Sequence, residues 1–94
     1  MIWKATEWET IGMGWHANCV DNLAGGSSLW YHPARILGIS PAEFIEWIIK
    51  NYKPDYINYS EDANLLIFTW KSQAQMRKYK NYINAQARKV NYQI

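Results

Sequence analysis

The sequence lacks three features that would place it in a familiar class of protein: a second cysteine, a long apolar run and an N-terminal signal. Its only cysteine, Cys19, cannot form an intrachain disulfide, which fits a reducing compartment. No apolar run approaches the roughly 20 residues of a membrane-spanning helix. The opening residues lack the basic, apolar and small-residue regions of a signal peptide. We therefore expect a cytoplasmic protein with no membrane partner.

Acidic residues are missing from the last third of the chain. Residues 1–62 contain all eight acidic residues and four of the ten basic ones, whereas residues 63–94 contain six basic residues and no acid. The net charge of +2 therefore conceals a strong asymmetry. Such an asymmetry can reflect a polyanionic partner. It can equally reflect attraction between the two halves, within one molecule or between copies.

The sequence contains few groups of residues that could form a metal site or a catalytic site. His16 and Cys19 have the spacing that places two side chains on one face of a helix, and Asp21 or His32 could join them in a metal site or a thiol–imidazole pair. A structural zinc site normally needs four ligands, but the chain has no second cysteine and no CxxC motif. We therefore expect no metal site, no cofactor and no catalytic residue, so the protein should not be an enzyme.

Aromatic residues, in contrast, are abundant: the chain has six tryptophans, seven tyrosines and two phenylalanines. Each buries roughly 150–250 Å² when it is enclosed, which is more than a small core can accommodate for all of them. Some should therefore lie at the surface, where Trp and Tyr often mark a partner site. The alternative is a thick aromatic core with half-exposed rims. The candidate protein-binding anchors are Trp3, Trp8, Trp15, Trp30 and Tyr31.

The strongest local signal is a helix that begins after Ser40. Ser40 is a suitable N-cap, Pro41 fits the first helical position, and Glu43 stands three residues after Ser40 as in a capping box. Apolar residues then recur with helical spacing from Phe44 to Tyr52 and form one broad face. The rest of the domain is expected to cover that face.

The remaining pattern predicts an α+β fold in a single domain of residues 1–94. A short helical turn from Pro33 to Leu37 precedes the main helix and forms a helix pair with it. A β-hairpin is expected at about residues 55–70, because two strand-like runs flank a polar loop. A basic C-terminal helix follows at about residues 72–90 and is expected to pack across the hairpin.

The N-terminal third contains only short patterns. Ile2 to Ala5 fits either a strand or the start of a helix, because the alternation is too brief to decide. Trp15 to Ala24 can form a short helix that Gly25 ends. Leu29 to Tyr31 can form a short strand.

The C-terminal helix combines a narrow apolar stripe with a basic remainder. Ser72, with Gln75 three residues later, is suited to cap its first turn. The predicted stripe consists of Met76, Tyr79, Ile83, Ala87 and Val90. The basic residues, together with Asn81 and Asn84, are expected to cover the exposed surface.

The helix pair carries a recognisable pattern between Ala34 and Trp47. Ala34 lets two helices approach closely, Gly38 supplies a tight turn, and Ile39, Phe44 and Trp47 bury the junction. This pattern resembles the helix-turn-helix motif of phage repressors, excisionases and transposases, which implies DNA binding. Base reading favours Arg, Lys, Asn or Gln. The positions that would face the major groove are instead apolar, small or acidic: Ser40, Pro41, Ala42, Ile45, Glu46 and Ile49.

The C-terminal helix is the stronger candidate for contact with nucleic acid. Cations along a helix can follow a phosphate backbone, and interleaved aromatic rings can stack on bases. We therefore expect a small non-enzymatic binding module whose partner is DNA or RNA. The predicted contact residues are Lys71, Arg77, Lys78, Lys80, Tyr82, Arg88 and Lys89.

The alternative is a protein-interaction or inhibitor-type module. In that case the five aromatic anchors named above would dock on a partner protein or on a second copy of the chain. The charge asymmetry would then set the orientation of the complex or drive self-association.

Overall fold

The described part of the chain forms three helices and four short strands, which confirm the α+β fold class. The computed structural model describes residues 1–17, 31–60 and 65–93. In chain order the elements are β1 (Glu7–Thr10), β2 (Gly14–Ala17), α1 (Tyr31–Leu37), α2 (Pro41–Tyr52), β3 (Tyr56–Ser60), β4 (Leu65–Thr69) and α3 (Gln73–Lys89). No helix in these ranges combines the length and the apolar character needed to cross a bilayer.

Helix α2 forms as its sequence predicts. The Ser40 hydroxyl accepts a hydrogen bond from the Glu43 backbone N–H at 3.2 Å, and the Ser40 N–H donates to the Glu43 carboxylate at 3.1 Å. These reciprocal bonds satisfy two donors at the start of the helix, and the bond from the Ser40 N–H to the carboxylate lowers the pKa of Glu43. Lys53, in the left-handed conformation, ends the helix by donating its N–H to the Ile48 carbonyl.

In the described part of the chain the strands form two antiparallel hairpins, which meet where β2 lies beside the end of β4. Strand β1 pairs with β2, and β3 pairs with β4. Trp15 and Trp70 then exchange backbone hydrogen bonds of 2.7 and 2.9 Å, which place β2 beside the end of β4. Gly14 is needed at this junction because its φ is +140° and because a Cβ atom there would overlap the Trp70 carbonyl oxygen.

The N-terminal hairpin corrects the predicted helix at residues 15–24. Residues 14–17 form strand β2, and residues 18–24 lie outside the described residues. Pairing with β1 and β4 satisfies the backbone of this segment, so long-range contacts override the local pattern. The strand predicted at Leu29 to Tyr31 is wrong at Tyr31, because that residue begins helix α1. Leu29 and Trp30 lie outside the described residues.

An aromatic core lies between the hairpins and the helices. The Trp70 ring stacks on Tyr79 of α3 with ring centroids 5.5 Å apart, and its indole N–H donates to the Tyr52 carbonyl at 2.8 Å. Phe44 of α2 packs edge-on against Phe68 of β4 at 5.9 Å. Aromatic residues are thus the material that joins α2, α3 and β4.

The apolar stripe of α3 is largely as predicted, with two corrections. Met76, Tyr79, Ile83 and Ala87 are buried, but Val90 follows the last helical residue and is 52% exposed. Asn84, predicted to lie at the surface, is buried. Its burial follows from a long-range contact with the N-terminal end of the chain, which helical periodicity does not reveal.

Residues 2–7 form a stretch, the N-terminal segment, that runs antiparallel to α3 and alongside it. Trp3 donates its backbone N–H to the Tyr92 carbonyl at 3.0 Å. The Asn84 side chain accepts from the Ala5 N–H at 2.7 Å and donates to the Ala5 carbonyl at 3.0 Å. Further along the same segment, the Glu7 carboxylate contacts Arg77.

Candidate nucleic-acid interface

The exposed surface of α3 is basic throughout its length, since none of its 17 residues is acidic. Arg77 and Arg88 are eleven residues apart, which is about three helical turns, so they lie nearly in line. Lys78 and Lys89 form a second line, about 100° further around the helix. Neither of these two lysines forms an ion pair in the described part of the chain.

Glu7 neutralises part of this charge at the N-terminal half of α3. Its carboxylate accepts two hydrogen bonds from the Arg77 guanidinium, at 2.9 and 2.7 Å, and one from Lys80 at 2.7 Å. Gln73 adds a longer bond of 3.3 Å. The bonds from Arg77 and Lys80 favour the charged carboxylate and lower the pKa of Glu7 from 4.5 to about 2. The same contact raises the pKa of Arg77.

The C-terminal half of α3 has the opposite environment. There the N-terminal segment contributes Lys4, which is exposed between the buried residues Trp3 and Ala5. Lys4 and Arg88 line the same cleft, and neither forms an ion pair with a described residue. The N-terminal segment therefore places a cation, Lys4, beside the C-terminal half of α3 and an acid, Glu7, beside the N-terminal half.

Lys71, although predicted with this group, lies at the other end of α3. Its backbone N–H donates to the Asp55 carboxylate at 2.7 Å, and its ammonium group lies over the Tyr56 ring, 5.6 Å from the centroid. A helix of 17 residues is about 25 Å long, so Lys71 and Lys89 are separated by that order of distance. The six predicted cations thus do not converge on one point.

Tyr82 provides an exposed ring on the same helix. It is 38% exposed and lies one turn after Lys78. Its ring is 5.8 Å from Trp47 and 6.1 Å from Tyr52, measured between centroids. These contacts hold one side of the ring and leave part of it open to solvent.

The outward side of α2 differs sharply from that of α3. Gly38, with φ +71°, makes the turn between α1 and α2, and Ala34 is buried between the helices. Glu43 and Glu46 are both exposed on α2. The helix pair therefore presents carboxylates where the resemblance to a helix-turn-helix motif implies contact with DNA.

None of the three described aromatic anchors of the alternative hypothesis is fully exposed. Trp3 is only 3% exposed and belongs to the core, whereas Trp8 and Trp15 are half-buried. Trp30 lies outside the described residues, as does the side chain of Tyr31.

His16 joins the two hairpins. Its Nδ1–H donates to the Phe68 carbonyl at 3.2 Å, with the Thr69 hydroxyl 3.1 Å from the same nitrogen, and Nε2 lies 2.8 Å from the Thr10 hydroxyl. The ring is buried against Trp8, 4.8 Å away. Both ring nitrogens are thus engaged within the fold. Cys19 lies outside the described residues, and those residues contain no group of three His, Cys, Asp or Glu that could hold a metal ion.

Three residues of this region were missed by sequence reasoning: Lys4, Glu7 and Asn84. Glu7 and Asn84 contact residues about 70 or more positions away in the sequence, and Lys4 lines a cleft with the equally distant Arg88. No local pattern marks such contacts, although the isolated Lys4 and Glu7 are visible as charges in an otherwise apolar and small-residue segment.

Comparison with known proteins adds no relative. No protein-family model matches the chain, and no curated protein and no solved structure matches it either.

Proposed function

We propose that the protein is a non-enzymatic module that binds nucleic acid along the outer face and the C-terminal half of α3. The observation that carries this proposal is a group of cations with no carboxylate partner among the described residues. These cations are Lys4, Lys78, Arg88 and Lys89. Cations with no carboxylate partner, on a helix and on a segment attached to it, can hold a phosphate backbone.

The ion pairs of Arg77 and Lys80 with Glu7 reduce the part of α3 that is available to bind phosphates. Arg77 and Lys80 are held by a carboxylate, and Lys71 lies at the distant end of the helix. Those three cations therefore contribute less than the sequence suggests. The proposed surface comprises the outer face of α3 that carries Lys78 and Lys89, the last two turns of the helix and the adjoining N-terminal segment.

Single-stranded nucleic acid fits this surface better than a duplex. Tyr82 has a partly exposed ring beside the basic face, and base stacking on such a ring needs an unpaired or splayed base. Stacking is sequence-tolerant, so we expect little base preference. Helix α2 is not proposed as a reading helix because Glu43 and Glu46 would repel phosphates.

The protein-docking alternative has less support. It requires several exposed aromatic anchors, but Trp3 is in the core and the two other described tryptophans of the set are half-buried. Anchors of protein interfaces contribute when their rings reach a partner.

Fluorescence anisotropy with labelled single-stranded DNA and RNA tests the proposal. We expect binding at low salt, with log affinity falling against log salt at a slope of roughly −3 for four phosphate contacts. Lys89→Glu should weaken binding by about fivefold or more, because it replaces a contact by a repulsion.

The matched control is Lys50→Glu, which makes the same charge change at an exposed lysine of α2. We expect it to change the affinity by less than about twofold, since it alters only the long-range charge. If neither nucleic acid binds at low salt, or if the two variants weaken binding equally, the proposed surface is wrong.

A further inference from the structure

We propose that the cleft between the N-terminal segment and the C-terminal half of α3 binds the terminal phosphate of a nucleic-acid strand. This inference rests on the proposed function and identifies a particular group of the ligand. The cleft has a volume of about 280 Å³ and is lined by Ile2, Trp3, Lys4, Asn84 and Arg88.

The charge of the cleft matches a terminal phosphate. Lys4 and Arg88 are both exposed, one on each wall, and neither has a carboxylate partner among the described residues. A phosphomonoester at a strand end carries a charge of about −1.5 to −2 at neutral pH. An internal phosphodiester carries a single negative charge per nucleotide. The two positive charges therefore match the charge of a strand end, whereas they exceed the charge of one internal phosphate.

The hydrogen-bonding groups of the cleft also favour an anion. Arg88 offers several N–H donors in a planar fork that suits phosphate oxygens. The buried indole N–H of Trp3 has no hydrogen-bond partner in the described ranges, although buried indoles usually have one. The Asn84 amide is engaged with the Ala5 backbone through both its oxygen and its nitrogen. The exposed side-chain groups of the cleft, those of Lys4 and Arg88, are therefore donors, whereas the Trp3 N–H is itself buried.

The two walls of the cleft are attached to each other by hydrogen bonds that do not involve the side chains of Lys4 and Arg88. Asn84 fixes Ala5 against α3, and the Trp3 N–H bonds to the Tyr92 carbonyl at 3.0 Å. The backbone on either side of Lys4 is thus attached to the helix. A site whose walls are fixed before binding loses less conformational entropy when the ligand arrives.

The test compares one short single-stranded oligonucleotide with a 5′-phosphate, with a 3′-phosphate and with hydroxyl groups at both ends. Anisotropy of an internal label measures the three affinities at one salt concentration. We expect one phosphorylated form to bind about five to thirty times more tightly than the hydroxyl form. The two phosphorylated forms show which end the cleft accepts.

Three variants locate the effect. Arg88→Gln and Lys4→Gln should each bring the ratio of phosphorylated to hydroxyl affinity close to one, because each removes a cation from the cleft. Lys89→Gln is the matched control: it removes a neighbouring charge that points about 100° away around the helix. Lys89→Gln should weaken the binding of all three oligonucleotides and leave the ratio of phosphorylated to hydroxyl affinity unchanged.

The outcomes separate the two proposals. Equal affinity for the three oligonucleotides would overturn the terminal-phosphate site while leaving the proposed function intact. The site would also be wrong if Lys89→Gln lowered the ratio as much as Arg88→Gln. If none of the oligonucleotides bound, the proposed function would fail and the terminal-phosphate site would fail with it.

Discussion

The two halves of α3 have the same basic composition but different neighbours. At the N-terminal half, Arg77 and Lys80 close on the Glu7 carboxylate at distances of 2.7 to 2.9 Å. At the C-terminal half, Arg88 lies across a cleft from Lys4 with no carboxylate partner among the described residues. One segment of six residues provides both neighbours, because it runs antiparallel along the helix.

The comparison shows that a count of cations overstates the charge that a partner can use. A cation held by a carboxylate has less of its field available, and its contact with a phosphate must compete with the internal pair. What distinguishes the two halves is the side chain that the neighbouring segment places against each of them.

Asn84→Ala should cause the largest loss of stability among these variants. The substitution leaves the Ala5 N–H and carbonyl without their partners in a buried position, so we expect a decrease of about 2–3 kcal/mol in the free energy of unfolding. Urea denaturation measures it. Asn81→Ala is the control, because Asn81 is exposed on the same helix and should change stability by less than about 0.5 kcal/mol. Equal losses would show that Asn84 does not attach the N-terminal segment.

Glu7→Gln should have a smaller effect on stability and a distinctive effect on binding. It removes the charge that pairs with Arg77 and Lys80, and we expect a loss of about 1–2 kcal/mol in unfolding free energy. The two freed cations should make nucleic-acid binding tighter. Glu9→Gln, an exposed acid on the same strand, is the matched control for stability. Unchanged stability in both variants would contradict the comparison between the halves.

The contribution of Glu7 should also disappear in acid. Because the pKa of Glu7 is lowered from 4.5 to about 2, the stabilisation is present above pH 4.5 and is lost as the pH falls towards 2. The difference in unfolding free energy between the wild type and Glu7→Gln should therefore shrink across that window. Denaturation at a series of pH values measures it, and a constant difference would mean that the ion pair contributes nothing to stability.

Lys71→Gln should have the smallest effect. Lys71 lies over the Tyr56 ring at the far end of α3, so we expect a change of less than about twofold in nucleic-acid affinity. Lys89→Gln, measured in the same assay, should weaken binding more. A larger effect at Lys71 would shift the binding surface to the start of the helix.

Local sequence predicted the elements whose signals lie within a few residues. Ser40, Pro41 and Glu43 marked the start of α2, and Ser72 marked the start of α3; both caps form as expected. The hairpin of β3 and β4 also lies where the two strand-like runs and the polar loop between them predicted it. In contrast, β1 and β2 were missed because strands of four residues carry too little periodicity to be distinguished from a helix.

The candidate site was predicted only in part. The cations of α3 and the exposed ring of Tyr82 could be identified from composition and spacing. Which of these cations pair with Glu7, and which have no carboxylate partner among the described residues, could not be identified from the sequence, because that depends on where residues 2–7 lie.

The sequence by itself determined that the last helix is basic, that it is amphipathic and that no acid lies within it. The tertiary structure decided which of its cations remain available, by placing Glu7 against Arg77 and Lys4 near Arg88. The physical reason is the range of the interactions. Caps and apolar stripes depend on neighbours within one or two turns, whereas an ion pair or a cleft depends on two segments that only folding brings together.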